Sequence, residues 1–288
     1  MVVLKEGVNF VQIENIELPI FYSPAKNKNS RVLWILFSAG GPRRKNNLAY
    51  PTFDRVSWAK GKFQGECLIF EDPSYYYNKG IQDGWYLGTG EKTYYQLIAQ
   101  LLTEYIQNQN INSSNLRFFG SSTGGTAAIC VSSYFLNSIS IASNPQIDIS
   151  LWSTYKSTCS ILQNTDLQLP FFIKSIINNT KSKIFISFNI GSDSDRIQAQ
   201  QLFSYMGITD ILQDGIFQRN NIYIWLYSIF TEKNNPHNVF PTFGMLLPIE
   251  QVFFNELPNE VMRKNFSYYS ELLKDYYELN EQIIANKK

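Results

Sequence analysis

Short, nearly continuous apolar runs alternate along this chain with longer stretches whose apolar residues recur every three or four positions. Runs of the first kind fit strands covered on both faces, and stretches of the second kind fit amphipathic helices. The clearest strand is 31–37, with Val32, Leu33, Trp34, Ile35, Leu36 and Phe37 in sequence. Segments 66–70, 115–119, 139–142, 184–188 and 221–227 have the same character, and 8–20 reads as one more strand-like stretch. Helical spacing appears over 92–107, where Leu97, Leu101, Leu102, Tyr105 and Ile106 share one broad face. Residues 126–134 open with small apolar residues and predict a buried helix. Helices are also expected over 198–205, stopped by Gly207, and over 260–284, just beyond Pro258. Residues 148–179, with Pro170 inside, fit a lid or inserted helices between strands. Strands alternating with helices predict an α/β fold with a mainly parallel sheet, in one domain spanning 1–288 with that possible insertion around 148–180.

Gly120-Ser121-Ser122-Thr123-Gly124 falls where one of these strands should turn into a helix. This G-x-S-x-G spacing lets a sharp turn project the central side chain, Ser122, as a nucleophile. Ser121 and Thr123 lack that central position. A serine hydroxyl needs a base, and His237 is the chain's single histidine. An imidazole, with an ordinary pKa of about 6.5, suits both base and acid duty near neutrality. The acid is expected after the strand at 184–188, where Asp193 and Asp195 both stand. Asp193 lies nearer the strand and is preferred; Asp195 is the alternative, with helix capping as its competing job. Asp210 and Asp214 are more distant choices. The order Ser122, Asp193 or Asp195, His237 matches one known chain order of a Ser-Asp-His site. The backbone N–H of Thr123 and the Gly40-Gly41 turn are the expected oxyanion donors.

Composition narrows the chemistry. A net charge of +1 over 288 residues argues against a nucleic-acid footprint, and Arg43-Arg44-Lys45 reads as a solvated loop more readily than as an anion site. Three widely spaced cysteines, Cys67, Cys130 and Cys159, form no metal or redox motif and fit a reducing, cytoplasmic setting. One histidine excludes a multi-histidine zinc site, so neither metal nor cofactor is called for. The first residues lack the basic-then-apolar pattern of a signal peptide, and no eighteen-residue apolar window suggests a membrane span.

Several further segments accompany the elbow: Ser38-Ala39-Gly40-Gly41, Phe53-Asp54-Arg55, Gly84-Trp85-Tyr86, Gly120 to Gly125, Asn144-Pro145-Gln146, the Asp193/Asp195 loop and His237. With them the chain resembles the α/β-hydrolase superfamily over most of 31–240. Within it, the chain is similar to hydrolase-like proteins of bacterial capsule or surface-polysaccharide biosynthesis. It is also similar in outline to the acetyltransferase-like component of accessory Sec systems. The resemblance implies an α/β-hydrolase-like three-layer sandwich with a mainly parallel central sheet. It also implies a Ser-Asp-His site that hydrolyses an ester of a carbohydrate or transfers an acyl group to a sugar. Possible association with glycan-biosynthesis proteins follows, and so does a third reading, a non-catalytic binding scaffold. In the aromatic stretch 74–90, Trp85 and Tyr86, with Tyr75, Tyr76 and Tyr77, are candidates to stack on a sugar; the competing reading makes them loop-anchoring core residues.

Overall fold

The computed structural model describes residues 2–40, 51–77, 80–88, 92–162, 169–209, 211–230, 235–241 and 259–286. Their nine strands form one sheet in the order β1-β2-β4-β3-β5-β6-β7-β9-β8. These are β1 (Gly7–Ile13), β2 (Ile16–Ser23), β3 (Leu33–Phe37), β4 (Glu66–Phe70), β5 (Leu116–Ser121), β6 (Ile139–Ser143), β7 (Lys183–Asn189), β8 (Gly215–Arg219) and β9 (Ile222–Tyr227). The six central strands are parallel, while β1, β2 and β8 pair antiparallel at the flanks.

The expected single strand over 8–20 is a hairpin. It reverses at Glu14-Asn15, so that Ile13 faces Ile16, with Glu14 in the left-handed region at φ 52°. Without a glycine, that dipeptide carries little turn signal. The second hairpin, β8 to β9, reverses the same way at Asn220, φ 53°. Its edge strand β8 keeps a half-exposed, mixed pattern, which hid it from an apolar-run reading.

Alternation along the central strands feeds two cores. Leu33, Ile35 and Phe37 of β3 face one cluster; Trp34 and Leu36 face the other. The first cluster packs against helices α3 (Tyr94–Asn108), α4 (Thr123–Ser132), α6 (Leu169–Asn179) and α7 (Asp193–Met206). The second takes Ala59 of α1 (Val56–Gly61) and Phe266 and Leu273 of the long C-terminal helix α8 (Asn259–Asn286). Helices therefore cover both faces, which is why the parallel strands read as unbroken apolar runs. Two shorter helices, α2 (Ser74–Tyr77) and α5 (Tyr155–Leu162), lie in the connections.

Helix starts follow local chemistry. Thr93 and Gln96 exchange the reciprocal bonds of a capping box at α3, an arrangement worth about 1 kcal/mol. Helix α4 is buried along its whole length, because its small residues let it cross the sheet closely. A side chain on Gly124 would put its Cβ 2.5 Å from the Phe37 carbonyl oxygen. Helix α7 begins at Asp193 rather than near 198, so both candidate acids sit in its first turn and not in a loop. Strands β3 and β5 lie side by side, and the connections leave them in opposite directions across the sheet. Such a switch point opens a crevice at the carboxyl ends of the strands.

Candidate active site

Residue Ser122 stands between the end of β5 and the first turn of α4, with φ 53° and ψ −127°. A non-glycine residue held there stores about 1–3 kcal/mol of backbone strain. The turn holds because Ser122 donates its N–H to the Ser143 carbonyl at 2.9 Å, and Gly125 donates back to the Ser122 carbonyl at 2.9 Å. Gly120 permits it: a Cβ there would lie 2.0 Å from the Gly124 carbonyl oxygen.

The three elbow hydroxyls point three ways. Ser121 is buried and accepts from Arg55 Nη2 at 2.7 Å. Thr123 Oγ1 accepts the Gly40 N–H at 2.7 Å. Ser122 Oγ lies 2.9 Å from His237 Nε2. His237 Nδ1 in turn lies 2.6 Å from Asp195 Oδ1. With the carboxylate accepting at Nδ1, the neutral ring carries its proton there and leaves Nε2 to accept from the serine.

Asp195 is fully buried, and its Oδ2 makes no hydrogen bond of full geometry. Burial pushes its carboxyl above the usual carboxylate range, while His237 and, more weakly, the Ser192 hydroxyl pull the other way. Asp193 instead faces solvent and pairs with Arg196 at 2.7 Å. The preference between the two acids is thus reversed by geometry: α7 starts two residues before Asp195, and its first turn aims Asp195 inward and Asp193 out. Ser192 occupies the N-cap position, so Asp195 is not the cap either.

Two buried asparagines hold the histidine loop. Asn144 Nδ2 donates to the His237 and Val239 carbonyls at 2.8 and 2.9 Å, and its Oδ1 accepts from Asn189 N–H at 2.9 Å. Asn189 Nδ2 donates to the Ile229 and Pro236 carbonyls at 2.9 and 3.0 Å. Four carbonyls of the described loop residues, which would otherwise be orphaned, are thus matched by these two side chains. Trp152 packs its ring 4.9 Å from the His237 ring and stays partly exposed. Gln146, fully buried, donates its side-chain N–H to Ser122 Oγ at 3.0 Å. Asn144 and Gln146 belong to a segment that carries the resemblance, without a role assigned to either; Trp152 and Asn189 had no sequence signal.

Other expectations need correction. Trp85 and Tyr86 are fully buried and open to no sugar. The Tyr86 hydroxyl shares its one proton between the Ser38 and Phe70 carbonyls at 3.1 and 3.0 Å, and Trp85 Nε1 donates to Gln146 Oε1 at 3.3 Å. They anchor their segment to the sheet and to Gln146, Tyr75 is buried with its hydroxyl bonded to Gln82 and Gly84 of the same segment, Tyr76 is exposed, and the Tyr77 side chain lies outside the described residues. The Gly40 N–H, expected to face an oxyanion, is given to Thr123 Oγ1. Gly41 and Arg43-Arg44-Lys45 lie outside the described residues, as does Asp210. Thr123 opens α4, where a first-turn N–H has no intrahelical acceptor. Burial pushes the Cys67 and Cys130 thiols far up, which suits inert core residues. Among the described residues, no helix is long and apolar enough to cross a membrane.

No family model matches the chain, and no curated protein matches it in sequence. Solved structures do match it in shape. The capsule O-acetyltransferase of Neisseria meningitidis serogroup A, in complex with CoA, superposes with a TM-score of 0.57 at 15% identity, covering 85% of this chain and 94% of that one. Pyrococcus horikoshii acylaminoacyl peptidase gives 0.57 at 11% identity, over 88% of this chain and 42% of that one. The Glycosylation Associate Protein (Gap123) complex from Streptococcus agalactiae gives 0.53 at 15%, over 77% and 42%. With its mostly parallel sheet and helices on both faces, the chain has an α/β-hydrolase-type fold.

Proposed function

We propose that this protein is a serine-dependent carboxylester hydrolase acting through an acyl-serine, with an O-acetylated carbohydrate as its substrate. The observation that carries the reading is the relay of Ser122, His237 and Asp195, linked at 2.9 and 2.6 Å. Ser122 Oγ attacks the ester carbonyl as its proton passes to His237 Nε2. The Oγ–C bond forms, and the carbonyl π pair becomes an oxyanion facing the Thr123 N–H. Collapse breaks the bond to the leaving alkoxide, which takes the proton from His237. Water, deprotonated by the same imidazole, then releases the acid. Asp195 holds the ring tautomer and offsets the charge of the imidazolium.

A second reading has a specific observation behind it. The likeness to a capsule O-acetyltransferase extends over most of both chains, and a sugar hydroxyl can replace water in the second step. The protein would then be a sugar O-acetyltransferase, with acetyl-CoA the first acyl donor to try. A silent scaffold would tolerate a serine out of reach of its histidine; here the two are in hydrogen-bond contact.

A fluorophosphonate probe tests the reading directly. Labelling of the wild-type protein, abolished in Ser122→Ala with the circular-dichroism spectrum unchanged, is the expected result. Undiminished labelling of Ser122→Ala would move the nucleophile elsewhere. Acetate release from acetylated sugars, against acetyl transfer from acetyl-CoA to sugars, then separates hydrolase from transferase.

A further inference from the structure

The nucleophile has a second polar neighbour besides its histidine. Gln146 follows Asn144 and Pro145 just beyond β6, and its side chain is fully buried. Its backbone is pinned to α4: Gln146 N–H donates to Thr126 Oγ1 at 3.0 Å, and Thr126 Oγ1 donates to the Gln146 carbonyl at 2.9 Å. Its side-chain amide has one end on Trp85 Nε1, at 3.3 Å, and the other on Ser122 Oγ, at 3.0 Å. The indole N–H is a donor only, so the amide oxygen must face Trp85. The NH2 group must therefore face Ser122. The serine agrees, since its own proton is committed to His237 Nε2 and its oxygen is left to accept. Both neighbours demand the same orientation, and a buried amide so held cannot flip without orphaning a polar atom at each end.

An oxyanion formed by attack of Ser122 is bonded to the same carbon as Oγ, within a short swing of any donor that already touches Oγ. Of the two anticipated donors in the loop after β3, Gly40 has given its N–H to Thr123 Oγ1, and Gly41 lies outside the described residues. On the assignment of Ser122 as nucleophile, the geometry points to the Gln146 side-chain amide as an oxyanion donor, working beside the Thr123 N–H, with Trp85 as the residue that aims it. As the carbonyl carbon bonds to Oγ, the electron pair of the broken π bond settles on the carbonyl oxygen. One N–H of Gln146 then turns from Oγ, now an ester-type oxygen and a poorer acceptor, to that charge. A buried donor already held beside the nucleophile needs only that short turn to meet the charge. Trp85, buried and unable to stack on a sugar, acquires a role as a positioning residue.

The test uses p-nitrophenyl acetate hydrolysis and the rate of fluorophosphonate labelling in the full-length protein. Gln146→Ala is expected to lower kcat by about 100- to 1,000-fold with KM nearly unchanged, the signature of a donor engaged only in the transition state. Gln146→Glu, similar in shape but an acceptor when ionised, is expected to lose at least as much. Trp85→Phe removes the aiming N–H and should cost about tenfold, while adding it to Gln146→Ala should cost nothing more, because the two act through one amide. Labelling and kcat within threefold of wild type in Gln146→Ala and Gln146→Glu would overturn the assignment. So would a rise in KM alone, or independent, multiplying losses in the double variant. If Gln146→Ala fails to fold, Gln146→Glu and Trp85→Phe decide on the same terms. Failure of the parent reading looks different: wild-type protein would then show neither Ser122 labelling nor ester turnover.

Discussion

The first turn of α7 directs one carboxylate to solvent and the next into the core, where it meets the only histidine. Asp193 is held by Arg196 at the surface, an arrangement worth little in water. Asp195 sits where an ionised group is costly, and it is kept there by the imidazole it orients. Catalytic loss should divide accordingly. Asp195→Asn is expected to reduce kcat about 1,000- to 10,000-fold, by favouring the wrong ring tautomer. Asp193→Asn should change it by about twofold or less, as for an exposed ion pair. Ester turnover by the two purified variants checks this, and comparable losses would remove Asp195 from the relay. Burial also explains why Trp85 and Tyr86 are not sugar platforms although their sequence context suggested a site: each spends its polar atom on the sheet or on Gln146. Trp152, packed 4.9 Å from the imidazole, is an aromatic residue of the site that stays partly exposed.

At the scale of elements, the site is assembled where strand ends meet helix starts. β5 runs through the strained elbow into α4, β7 runs into α7, and the segment after β9 returns with His237 in a single turn of 3-10 helix at Pro236–Asn238. Among the described residues of that last segment, the short 3-10 turn is the only helix. Asn144 and Asn189, at the ends of β6 and β7, clamp it through carbonyls at 229, 236, 237 and 239. The Tyr227 hydroxyl adds a bond to the Val239 carbonyl at 2.8 Å. Asn144→Ala would orphan the Asn189 N–H and the His237 carbonyl, while the Val239 carbonyl would keep only its bond from the Tyr227 hydroxyl. Its cost in stability should be about 2–4 kcal/mol, read by urea unfolding, with kcat falling more than KM rises. A variant as stable and as active as wild type would show that the loop holds His237 unaided.

Across the whole molecule, two apolar clusters on opposite faces fix the strands, and Ser122, Asn144, Gln146, Asn189 and Asp195 stand at or just beyond the carboxyl ends of β5, β6 and β7. Placing Asp195 in that interior gives stability a pH dependence. Its folded pKa is raised by burial, so the folded state binds its proton more tightly than the unfolded chain. The favourable contribution is full below the unfolded value of about 4 and is lost as pH rises through the folded value. Asp195→Asn, inactive but uncharged, should therefore gain in Tm relative to wild type as pH rises above about 4. Melting curves of both proteins from acid to neutral pH measure this, and a constant difference would refute it. Much of this architecture was legible in the chain itself. Strand positions at 33–37, 66–70 and 183–189, the buried helix after the elbow, and the serine and histidine all follow from apolar runs, glycine spacing and a residue type present once. Such features are local, because periodicity and close backbone approach are written in neighbouring residues. The turn at Glu14-Asn15, the edge strand β8, the inward choice of Asp195 over Asp193 and the contact of Gln146 with Ser122 were not legible, and the sequence left the burial of Trp85 as one of two readings. Each depends on which way a side chain faces once distant segments pack, and that direction is set by the helix phase and sheet register of the folded molecule.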